Sequence, residues 1–117
     1  MKYLFLVVAL TLSANMAHAF ERVDDETSFN TLLEGKQLRM GLYGLSLSVM
    51  PDGQISGRAV GYDVTGTWAW QDGYFCRQMD WSGTEIPYNC QLVEVSGSRL
   101  RFTTDRGAGD DAVFNLR

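Results

Sequence analysis

Histidine is almost missing from this sequence: among 117 residues only His18 is one. That scarcity excludes Ser–His–acid and Cys–His catalysis in their usual forms, and the imidazole-based zinc and copper sites. His18 itself falls in a stretch that reads as a leader. Met1-Lys2 is a short basic start, residues 3–12 are apolar, and Ala17-His18-Ala19 fits the small-x-small cleavage rule. Residues 1–19 therefore read as a secretory signal peptide. The apolar run is too short to cross a bilayer and no second one follows, so no membrane span is expected. Positive charge is also in short supply. Residues 20–117 carry nine basic against fourteen acidic side chains, a balance of −5. A nucleic-acid or anionic-membrane surface needs a concentrated positive field, so neither is an expected partner. Cysteine occurs twice, as Cys76 and Cys90. In an exported chain an even pair predicts a structural disulfide, whereas a redox pair would want C-x-x-C spacing. Two cysteines without histidine make no ordinary zinc site, and nothing implies a cofactor. What remains is carboxylate-pair chemistry, arginine-based anion binding, or no catalysis.

The 98 residues from 20 to 117 are enough for one domain. Residues 20–25 read as a polar lead-in. Residues 26–35 form the one predicted helix: Phe29, Leu32 and Leu33 share a face, Asp24 or Asp25 suits the N-cap, and Gly35 the stop. From Lys36 onward the period becomes two. Strands are predicted over 45–49, 54–60, 62–70, 74–81, 86–95, 99–104 and 112–116. Pro51-Asp52-Gly53, Asp72-Gly73, Ser82-Gly83-Thr84, Ser96-Gly97-Ser98 and Arg106-Gly107-Ala108-Gly109 separate them as turns. The expected fold is mainly β: a small antiparallel meander of seven or eight strands, closed into a barrel or strongly curled sheet, with one short N-terminal helix. Gly41, Gly44, Gly57, Gly61 and Gly66, within or at the ends of strand-like runs, are expected at bulges, bends or close backbone approaches, unless some simply end strands.

The densest chemistry lies in residues 66–77. If Asp72-Gly73 is a two-residue hairpin loop, Trp70 faces Phe75, Ala69 faces Cys76, Trp68 faces Arg77 and Val64 faces Trp81. One face then collects Val64, Trp68, Trp70, Phe75, Arg77, Met79 and Trp81, and that face is the core. A three-residue loop would shift the pairing and remove Arg77 from it. An arginine on an apolar face has two readings. It pairs with Asp63 or Asp80 or reaches the barrel mouth over a tryptophan; or it waits for an anion inside an aromatic cup of Trp68, Trp70, Phe75 and Trp81. The tryptophans likewise read as core filling or as a binding box. Asp105, Asp110 and Asp111 do not follow the order of an EF-hand loop and read as a solvated turn. Asp63, Asp80 and Glu85 are the carboxylates left for hydrolytic chemistry, and no spacing singles them out.

The run Gly66–Arg77, Asn89-Cys90-Gln91 and the stretch Arg99–Gly109 resemble a group of short secreted alphaproteobacterial proteins often labelled dihydrodipicolinate reductase. The resemblance covers nearly all of residues 20–117 and implies a periplasmic or secreted location for one undivided domain. The labelled activity would need a βαβ unit opening on G-x-G-x-x-G; Arg106-Gly107-Ala108-Gly109 lacks the third glycine and a helix behind it. Two other functions fit the residues better. One is a non-catalytic binding module holding a small amphipathic anion against Arg77. The other is an envelope interaction or inhibitor protein, built like the barrel-shaped lysozyme inhibitors, with a loop site at 82–89 or 106–111. A filled interior favours the second. The oligomeric state is not legible.

Overall fold

Alternation of apolar and polar residues sets in at Leu38 and continues to the C-terminus, and every such run becomes a strand of one antiparallel sheet. The computed structural model describes residues 19–117; all but the last residue of the expected signal peptide, 1–19, lie outside the described residues. The strands are β1 (Glu21–Arg22), β2 (Leu38–Met40), β3 (Leu45–Val49), β4 (Gln54–Ala59), β5 (Tyr62–Gln71), β6 (Tyr74–Trp81), β7 (Thr84–Ser96), β8 (Arg99–Thr103) and β9 (Asp111–Leu116), with one helix, α1 (Glu26–Leu33). Strands β2 to β9 pair in sequence except that β2 also meets β9, which closes an eight-stranded barrel; β1 adds to β7 outside the ring.

Three features differ from the sequence reading. Residues 20–25 are more than a lead-in, because Glu21–Arg22 pairs with Glu94–Val95 and Val23 is buried. Leu38–Met40 is a strand of its own, and its pairing with Leu116 and Asn115 is what shuts the barrel. Residues 84–85 extend β7, so 82–89 is mostly strand with only a tight turn at Ser82-Gly83. Closure explains the second point: a three-residue strand is too short to announce itself locally, yet it satisfies backbone groups on both neighbours.

The β5–β6 register is the one that the Asp72-Gly73 loop dictates, with Trp68 opposite Arg77 and Trp70 opposite Phe75. Asp72 and Gly73 both have positive φ (53° and 86°), as a type I′ turn requires. In the next pair, Arg77 faces Asn89 but Met79 faces Ile86, so β7 carries one extra residue there. Pro87 falls in that interval; it has no N–H for the ladder, so a bulge is the place for it.

Strand glycines allow the tight curvature. A Cβ on Gly57 would strike the Ser46 carbonyl oxygen, and one on Gly66 the Gln78 carbonyl oxygen. Helix α1 is capped by Asp25, whose Oδ1 accepts from Ser28 N at 2.8 Å. Its apolar face closes one end of the barrel: Phe29 is fully buried, with ring centroids 5.3 Å from Trp68 and 5.2 Å from both Trp70 and Phe75.

Candidate functional site in the barrel interior and at its far end

The barrel interior divides into a filled half and a half with room. Beside α1, Phe29, Trp68, Trp70, Phe75 and Phe102 pack edge-on or tilted against one another. Trp68 Nε1 donates to the Met50 carbonyl at 2.8 Å, so its one polar atom is satisfied within the protein. This is packing, with rings in the arrangements that their quadrupoles favour. Of the aromatic cup, Trp68 and Trp70 are thus core. Trp81 stands at the opposite end, donating from Nε1 to Ala59 O at 2.9 Å and meeting Tyr62 edge-on at 6.3 Å.

Farther from the helix a cavity of about 40 Å³ remains, bordered mainly by aliphatic and aromatic side chains together with Arg77 and Gln91. Of the predicted site residues, only Phe75 and Arg77 line it. Arg77 is half-buried and donates from Nη1 to the Pro87 carbonyl at 2.7 Å. Burial holds its pKa below the ordinary arginine value, yet a guanidinium stays charged under any ordinary condition. Neither expected carboxylate reaches it. Asp63 lies 3.6 Å from exposed Arg58, and Asp80 Oδ2 accepts from Gly83 N at 2.9 Å. The reason is alternation: Asp63 and Asp80 point outward while Arg77 points inward. Among the described residues no ion pair is made by Arg77.

Gln91 was not singled out by the sequence. It is 7 % exposed, sits opposite Phe75, and its side chain makes no hydrogen bond to a described residue. The signal was present: Gln91 is in phase with Val93, which faces the core. Cys76 and Cys90 are directly opposite on β6 and β7 and are joined, with Cα atoms 3.9 Å apart. The loop after β8 folds back onto β7, where Asp105 N and Oδ1 exchange hydrogen bonds of 3.0 and 2.8 Å with the Asn89 amide. The 106–111 stretch is therefore anchored to the barrel wall at its start. Among the described residues no cluster of three or more acidic, cysteine or histidine side chains could hold a metal ion.

At the barrel end away from α1, apolar side chains stand in water. Leu42 is 87 % exposed, and Tyr43, Val60 and Tyr62 are each more than half exposed. Two chain segments form this tip: the 3₁₀ turn Gly41–Tyr43 before β3 and the Val60-Gly61 turn between β4 and β5. Val60 N donates to Tyr43 O at 2.9 Å and ties them together. The sequence places Val60 at the end of a strand; instead it is the first central residue of a turn, with φ 51°. The equivalent positions of the other two-residue hairpins hold Asp72, Ser82 and Gly97. Asp and Ser suit turns, whereas a β-branched residue is an outlier in the left-handed region.

No protein-family model matches the chain, and neither a curated protein nor a solved structure is similar to it.

Proposed function

We propose that this chain is a non-catalytic, extracytoplasmic interaction module that docks another protein on the tip formed by Leu42, Tyr43, Val60 and Tyr62. Val60 is the observation that carries the reading. A left-handed conformation costs an L-residue about 1–2 kcal/mol, and exposing its isopropyl group recovers nothing in the isolated protein. Both costs are offset if a partner covers the side chain. Two tyrosines beside it have the composition of binding hot spots, and Tyr62 is already held by Trp81. The rim carries Asp63 and Asp80, and residues 20–117 are acidic in sum, which favours a protein surface over an anionic membrane. The Cys76–Cys90 bridge is consistent with an extracytoplasmic location. Small-molecule sites usually measure about 300–1,000 Å³, and the barrel interior has far less room.

The test uses a benzophenone side chain in place of Tyr62, and of Thr65 on the barrel wall as control, in cells that export the protein. The reading expects irradiation to give one adduct with a different protein from position 62 and none from position 65. Val60→Asn, whose side chain tolerates the turn, should lose that adduct while raising the unfolding free energy by about 1 kcal/mol. Equal adducts from both positions, an adduct only with a second copy, or an adduct that survives Val60→Asn would sink it.

A further inference from the structure

Independently of the tip, the cavity beside Arg77 is lined by a guanidinium in no ion pair and a side-chain amide in no hydrogen bond among the described residues. We propose that this cavity is a binding site for a small planar oxyanion of formate or nitrate size, held between the Arg77 guanidinium and the Gln91 side-chain amide.

Three observations lead there. Arg77 is pointed inward by the β5–β6 register, and the one side-chain hydrogen bond it makes among the described residues, to Pro87 O, leaves the rest of the guanidinium fork open. The bulge at Pro87 presents that carbonyl, so it orients the guanidinium without neutralising it. Gln91, 7 % exposed, lines the same cavity, and its side chain is in no hydrogen bond with a described residue. A largely buried amide and a half-buried guanidinium have both given up water contacts, and a polar group that loses water without gaining a partner is destabilising. An anion meets both needs: its oxygens accept from the guanidinium fork and from the Gln91 N–H donors.

Size fixes the class. One water needs about 10–15 Å³ of such space, so about 40 Å³ admits roughly three atoms of that size. Formate, with three non-hydrogen atoms, and nitrate, with four, are near that size, and the remaining walls, Leu38, Leu47, Ile55, Phe102 and Phe114 among them, leave Arg77 and Gln91 as the polar contacts.

The probe is sodium formate, with sodium gluconate at equal ionic strength as an anion too large to enter. Thermal unfolding midpoints of the whole protein are followed against concentration. Formate should raise the midpoint and gluconate should not. Arg77→Met should abolish the rise. Gln91→Glu, which supplies a carboxylate from the barrel itself, should fold with a midpoint that formate no longer moves, its formate affinity at least about tenfold weaker. Isothermal titration of wild type and Gln91→Glu with formate checks the same difference directly. Equal responses to formate and gluconate, or a Gln91→Glu protein as responsive as wild type, would overturn the proposal; cavity waters alone would give the first result.

Discussion

A single methyl group added at Gly66 would meet the Gln78 carbonyl oxygen and come within 2.7 Å of Met79 Cγ. The methionine can move aside, but the backbone of β6 is held on both edges by β5 and β7. Gly66→Ala should therefore lower the unfolding free energy by about 1–3 kcal/mol, measured by urea titration. The glycine was legible as a close-approach position from its place inside a strand-like run. Val60 was not legible, since valine is the residue one expects to continue a strand and only its φ reveals the turn. Gln91 shows a third case. Its alternation marked it as inward-facing, but a polar residue on an inner face becomes informative only once its neighbours are known to offer it nothing.

Among the elements, α1 depends most on one side chain. The Asp25 carboxylate accepts from both the backbone N and the Oγ of Ser28, at 2.8 and 3.1 Å. These bonds, led by the one from the backbone, hold its pKa below the ordinary 3.8. A carboxylate whose pKa is depressed on folding contributes stability that is present above 3.8 and lost as pH falls through the lower folded value. The thermal midpoint should thus fall on acidification below about pH 4, and Asp25→Asn should lose part of that acid dependence. A flat wild-type profile down to pH 3 would contradict the cap. The helix itself was readable from Phe29, Leu32 and Leu33, and so was the hairpin from Asp72-Gly73, because both signals are local. On the next pair of strands, β6 and β7, the Cys76–Cys90 bridge spans a sequence separation of 14 and contributes about 3 kcal/mol under the chain-entropy account.

Over the whole molecule, Phe29 is the side chain that ties α1 to the interior of the closed barrel. The ring fills the space between Trp68, Trp70, Phe75 and Phe102, so without it the helix has little to hold it against the barrel end. Phe29→Ala should cost about 3–5 kcal/mol and weaken protection of the β5–β6 amides, seen by hydrogen exchange. Loss of less than about 1 kcal/mol would mean that α1 merely lies on the surface. By itself the sequence determined the strands from Leu45 onward, the five glycine-bearing turns between them, the inward face with Arg77 in it, and the cysteine pairing. The first three follow from a period of two or from turn chemistry within a few residues, and the pairing from an even cysteine count in a chain expected to be exported. Only the tertiary structure decided that β2 meets β9, that α1 plugs one end, that the interior beside Arg77 shrinks to about 40 Å³, and that Leu42, Tyr43, Val60 and Tyr62 share one tip. Those outcomes depend on barrel closure and on which distant side chains then share space, and no local period carries either.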